Sequence, residues 1–183
     1  MYTFEEIHLR EVLSKRHELA KEYAKVAHDD VGQIRKGSGA RYWVHPLGVS
    51  DILEGYRASE PVCVAACLHD TVEDTEVSVQ NIEDTFGSEV AELVSEVTNS
   101  PNLDGLDKEF YMSKKMTELS DDALTIKLGD CLYNLLDKPK KQQMVRMFNN
   151  IKFMMRNRKP KRIHRELISS FINGYKSQVN IIL

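Results

Sequence analysis

A chain of 183 residues fits a single domain of ordinary size, and 42% hydrophobic with 29% charged residues excludes a disordered polymer. Nine glycines and five prolines are fewer than turn-rich β architectures carry, so helix is favoured. The formal charge of −3 gives no global reason to expect a nucleic-acid binder.

The charge is unevenly spread. Positions 138–165 hold eleven basic residues and no acid, leaving 14 basic against all 28 acidic residues, or −14, for the rest. Such a block reads first as a solvated face, with a phosphate-facing wall, an oligomer contact or incidental RNA affinity as alternatives. Cys63, Cys67 and Cys131 are odd in number and lack C-x-x-C spacing, so neither a disulfide framework nor a structural zinc site is expected. The acidic start MYTFEEIHLR is not a signal peptide, and no run is long enough to cross a membrane. A cytoplasmic protein is expected.

In chain order, Thr3 with Glu6 forms a capping-box pattern opening a helix to about residue 28. Residues 29–44, with Gly32, Gly37 and Gly39 beside Arg35, Lys36 and Arg41, predict a loop that bends close to a ligand and points cations into it. Pro46 suits the first position of a second helix to about Gly55. Ser59 and Pro61 open a third, VCVAACLHD, apolar on most sides and therefore buried. Shorter helices follow over 78–86 and 88–97, separated by Gly87, then a loop over 99–107 with Pro101 and Gly105. Helices over about 107–119, 121–136, 140–157 and 160 to the C-terminus complete the chain. No segment alternates convincingly as a strand, and neither a repeat nor a linker divides 1–183.

Chemistry concentrates at His45, the His69–Asp70 pair and Asp130. Two apolar helices each place a carboxylate where the interior should be, and a desolvated carboxylate costs several kcal/mol unless compensated. If the helices converge with His45, the set is two histidines and two aspartates, suited to a borderline divalent ion such as Mn, Fe, Zn or Co. The rival reading is a buried ion-pair network, His with Asp and Lys127 with Asp130. Spacing alone leaves both open.

His45, His69–Asp70 and Asp130 resemble the H…HD…D signature of HD-domain phosphohydrolases, which are all-helical and hold a divalent metal. The match is closer to the ppGpp hydrolase domain of RelA/SpoT homologues, particularly the small stand-alone alarmone hydrolases. It rests on GQIRKGSGARYWVHPLGV, AACLHDTVEDTEV, FGSEVAELVSEVT and IKLGDCLYNL, covering about 24–137. The resemblance implies an all-α single domain, with 138–183 as a basic helical extension. It implies metal ligation, most plausibly of Mn²⁺, by His45, His69, Asp70 and Asp130, and action of Glu73 and Asp74 on the attacking water. If the third helix persists, Glu73 and Asp74 follow His69 and Asp70 by four residues each and lie over the ligand face. Two adjacent acids suit base work because each raises the other's pKa.

Arg35 and Lys36 match the family's pyrophosphate-neutralising pair. Ser38 and Tyr42 are candidates for base or sugar contact, and Asn134 matches a ribose-facing Asn. Departures are Cys131 where a basic residue is common, Gly129 for Ala, and SGARY where SGEPY is typical, so that Arg41 adds a cation. His8, His17, His28 and His164 are read as solvated or packed.

The implied activity is removal of the 3′-pyrophosphate from guanosine tetra- or pentaphosphate, with no synthetase domain expected. Partners are then a small nucleotide, neither a membrane nor a nucleic acid, with self-association left open. Beside this stand an HD phosphohydrolase for another nucleotide (an adenine alarmone, a dinucleotide phosphate or a modified RNA end), motivated by Arg41 and the basic block, and a non-catalytic nucleotide sensor or toxin-neutralising partner.

Overall fold

The structure, a computed structural model, describes residues 4–36, 38–99, 108–137 and 139–182, with the backbone alone for 4–10, 108 and 180–182. The described residues form α1 (Phe4–Asp30), α2 (Val44–Gly55), α3 (Glu60–Leu68), α4 (Thr71–Asp74), α5 (Val79–Phe86), α6 (Ser88–Val97), α7 (Lys108–Glu118), α8 (Asp121–Leu136), α9 (Lys141–Asn157) and α10 (Arg162–Ile182). The fold is the all-α bundle that the sequence predicts. The Thr3 cap, Gly37, Lys138, the His8 side chain and the loop at 100–107 lie outside the described residues.

The continuous apolar character of α3 places it at the centre. Val62 to Leu68 are all buried, and α1, α2, α6 and α8 pack around them. α10 closes over α8, and α7 pairs with α9. Close approach of α2 to α8 depends on two glycines. A Cβ on Gly48 would lie 2.0 Å from Tyr133 Cε2, and one on Gly129 2.8 Å from Leu53 Cδ2. Gly129 therefore stands where a larger residue would displace Leu53. His164 is fully buried, accepts from the Lys161 N–H and faces the Asp121 carbonyl at 2.9 Å, tying α10 to the start of α8.

Helix ends differ from the sequence reading in three places. α1 runs two residues past His28. α2 begins at Val44, with Pro46 inside its first turn rather than opening it, because Val44 and His45 already donate to the carbonyls of Arg41 and Tyr42. α3 ends at Leu68, and the helix does not persist through Asp74. His69 keeps helical angles, but Asp70 at φ −100° and ψ −7° leaves the helix, and Thr71 Oγ1 caps the Leu68 carbonyl at 2.8 Å. α4 is a separate single turn. The 29–44 loop is also more ordered than expected, closed by an antiparallel bridge between Ile34 and Arg41. Ser59 takes the N-cap of α3 without a side-chain bond, whereas Ser78 and Asn81 make a full capping box on α5.

Candidate metal centre and its surroundings

The break after α3 puts His69 and Asp70 at the buried end of the central helix, and the early start of α2 sets His45 opposite them. His69 Nδ1 lies 2.8 Å from the Ala66 carbonyl, which accepts only, so Nδ1 carries the hydrogen and Nε2 is turned inward. That Nε2 is buried without a hydrogen-bond partner, 3.2 Å from Asp70 Oδ1. His45 Nε2 lies 3.5 Å from Asp70 Oδ2 and 3.2 Å from Asp130 Oδ1, while its Nδ1 is buried and unpartnered. Ligand atoms of His45, His69 and Asp70 all fall within 4.8 Å of one another.

The donor set fits a divalent cation. Atoms bound at about 2.1 Å around a six-coordinate ion stand about 3 Å apart at right angles, close to the 3.2–3.5 Å separations here. A bare imidazole nitrogen facing a carboxylate oxygen in a buried site is repulsive unless a cation lies between them. Burial pushes the Asp70 carboxyl up, yet positive charge on His69 and His45, present whenever those rings are protonated, outweighs it and holds Asp70 below the usual range. Tyr42 reinforces this by donating its hydroxyl to Asp70 Oδ2 at 2.8 Å. The phenol itself stays protonated, its pKa raised by burial and by the Asp70 charge.

Asp130 joins the cluster through His45. Its Oδ2 accepts from Lys127 Nζ at 2.7 Å and its Oδ1 from Asn134 Nδ2 at 2.5 Å. Burial opposes its charge, but Lys127 and then His45 hold the carboxyl well below the usual range. The ion pair that rivalled the metal reading is thus present beside the cluster rather than in place of it. Cys131 is buried, its thiol pushed up to about 12 by burial and by Asp130.

Glu73 and Asp74 sit on α4, exposed, and each is held by a partner that the sequence did not indicate. Glu73 accepts from the backbone N–H of Asn99 at 3.0 Å and from its amide at 3.0 Å; Asp74 accepts from Gln33 Nε2 at 2.9 Å. Lys115 supports Asn99, donating to the carbonyls of Val97 at 3.0 Å and Thr98 at 2.6 Å.

Arg35 does not project freely from its loop. It bonds Asp137 Oδ2 at 2.7 Å and Asn134 Oδ1 at 2.9 Å, and so reaches Asp130 through Asn134. A cleft of about 290 Å³ opens beside it, lined by Gly48, Ile52, Tyr133, Leu136 and Asp137. Lys36 and Ser38 are exposed, and Ser38 Oγ accepts from the Ala40 N–H within its own turn. Arg41 points outward to Asp29 at 2.8 Å, so the extra cation read from the sequence does not enter the site. His17, His28 and His164 are packed in the interior. Gln33, Asn99 and Asp137 were not singled out by the sequence. Their only signal is polarity near motif residues, and their partners lie 26 to 102 positions away.

The HD domain profile matches residues 20–147. A guanosine-3′,5′-bis(diphosphate) 3′-pyrophosphohydrolase of Danio rerio is 41% identical over 101 residues, 54% of this chain and 56% of that protein. Another protein of that name, from Spiroplasma citri, is 33% identical over 156 residues, 79% of this chain but 20% of that protein. The chain therefore spans about half, or less, of the length of these relatives. A solved structure described as a metazoan ortholog of SpoT that hydrolyzes ppGpp superposes with a TM-score of 0.72 at 28% identity, covering 86% of this chain and 94% of that one.

Proposed function

The chain belongs to the HD-domain family, and from that premise we propose that it is a metal-dependent hydrolase releasing pyrophosphate from the 3′ position of guanosine tetra- or pentaphosphate. The observation that carries this reading is the convergence of His45, His69 and Asp70, with the orphaned His69 Nε2 turned into the cluster. The relatives' activities support the substrate class.

His45, His69, Asp70 and Asp130 would hold the ion, with Mn²⁺ as the favoured identity. A divalent ion there supplies Lewis-acid polarisation and lowers the pKa of water. The remaining work falls to side chains. Glu73 and Asp74 orient the attacking water and take its proton as it adds to the phosphorus on the 3′ oxygen; the bond from that oxygen to phosphorus breaks, the oxygen takes up the proton that the acids release, and GDP or GTP with a free 3′ hydroxyl leaves with pyrophosphate. Arg35 and Lys36 offset the pyrophosphate charge, Arg35 bidentately after exchanging Asp137 for phosphate and Lys36 as a point charge. Asn134 faces the ribose. Tyr42 and Ser38 border the nucleotide, with Tyr42 committed to Asp70. We take 1–183 as one hydrolase domain with its motif-bearing core at 24–137, acting in the cytoplasm.

The test is metal analysis of the purified protein and a pyrophosphate-release assay on ppGpp with and without Mn²⁺, beside Asp70→Ala. Mn²⁺-stimulated release, lost together with the bound metal in Asp70→Ala, is expected. Turnover of a different nucleotide with none of ppGpp overturns the substrate; retention of metal by Asp70→Ala overturns the site.

A further inference from the structure

Of the two amides that hold the paired acids, the one on Asp74 is anchored in the core. His28, in the last turn of α1, has no exposed surface, and its ring packs on Tyr42 with centroids 4.9 Å apart. Its Nδ1 lies 2.7 Å from Gln33 Oε1, and Gln33 Nε2 donates to Asp74 Oδ2 at 2.9 Å. A carboxylate only accepts, so Gln33 must present its NH₂ to Asp74 and its carbonyl to His28, whose proton is then on Nδ1. Burial lowers the His28 pKa and keeps the ring neutral.

The Gln33 backbone is fixed as well. Its N–H donates to the His28 carbonyl and its own carbonyl accepts from the Tyr42 N–H, both at 3.1 Å. An amide constrained at its main chain and at its far end has little rotamer freedom left to lose when it fixes a carboxylate. Tyr42, packed on the same histidine, donates to Asp70. A single buried ring thus backs contacts both to a candidate ligand and to a candidate base.

We propose that Gln33, oriented by His28, is a positioning residue for Asp74, aiming its carboxylate at the water beside the His45–His69–Asp70 cluster. Gln33 does not touch the reacting atoms. The proposal rests on the reading of Asp74 as an acid that acts on water, and it adds the device that keeps an exposed carboxylate aimed.

Gln33→Met preserves length and bulk while removing both hydrogen bonds. Misplacement of a reacting group by about 1 Å costs on the order of 100-fold, so kcat on ppGpp with Mn²⁺ should fall at least about tenfold. KM and bound metal should stay within about twofold, because neither substrate binding nor ligation is touched. In an Asp74→Ala background, followed at its residual rate, Gln33→Met should cost nothing further. A kcat within about twofold of the parent while Asp74→Ala is severely impaired overturns the proposal and spares the functional reading. An equal fold-loss in both backgrounds overturns it too, since that is a general structural effect. If the parent releases no pyrophosphate from ppGpp, the functional reading fails separately. Crystal structures of the parent and Gln33→Met then decide the positioning: a displaced Asp74 carboxylate supports it, and an unmoved one refutes it.

Discussion

Replacing Lys127 with methionine keeps the apolar stem but removes the one lysine that pairs with Asp130 among the described residues, leaving Asn134 and His45 beside the carboxylate. The ammonium lies 2.7 Å from Asp130 Oδ2, with side chains 17% and 10% exposed. At an effective dielectric of about 20, that separation corresponds to a gross attraction of about 6 kcal/mol, part of which offsets the cost of burying the two charges. Removing one partner of a buried pair typically costs about 3–5 kcal/mol, and the residual exposure places this pair near the lower end. At about 2–4 °C per kcal/mol for a chain of this size, Tm should fall by roughly 6–12 °C. The assay is thermal unfolding by circular dichroism on chelator-treated protein. Lys127→Met/Asp130→Asn should recover much of the loss, because no charge is then left unpaired. Added Mn²⁺ should narrow the gap for the single variant alone, since a bound cation neutralises the same carboxylate. A single-variant loss below about 1 kcal/mol, or a double variant no more stable than the single one, would refute the view that Lys127 offsets a buried charge.

Gly48→Ala gains about 1 kcal/mol of helix propensity but drives a methyl into the Tyr133 ring, an overpacking cost of about 1–3 kcal/mol. Net destabilisation in urea unfolding is expected, and a stabilised variant would show that α2 and α8 do not meet this closely. Stability should also fall as pH drops below 6.5. Burial lowers the pKa of His17 and of His164 from 6.5, so the unfolded chain binds more protons between 6.5 and the lowered folded values. The stability present above pH 6.5 is lost progressively on acidification through that window. Urea midpoints that stay flat or rise from pH 7.5 to 5.5 would contradict the buried, neutral state of these rings.

His69, Asp70 and Asp130 stand out in the sequence because a charged group at an apolar helix is costly, and that cost shows in the local pattern of VCVAACLHD and ALTIKLGDCL, whereas His45 in WVHPLGV carries no such local signal. The same pattern could not decide between a metal and an ion pair. Lys127 follows the 3.6-residue period to Asp130 as a salt bridge would, and it makes that bridge while His45 and His69 keep buried nitrogens without partners. Local spacing is blind to which of two compatible arrangements fills a site, because both use the same helix face.

The break at Asp70 was not legible for a different reason. Nothing in LHDTVED stops a helix by propensity; the Thr71 hydroxyl captures the Leu68 carbonyl and the chain turns. That turn sets Glu73 and Asp74 on a separate element from His69 and Asp70. With the break, each reaches a partner on another segment, Asn99 after α6 and Gln33 after α1. Those partners are set by how α1 and α6 pack around α3, a relation between distant segments that no spacing along one segment encodes. The break lets the core fix His69 and Asp70 while amides hold Glu73 and Asp74 at the exposed rim.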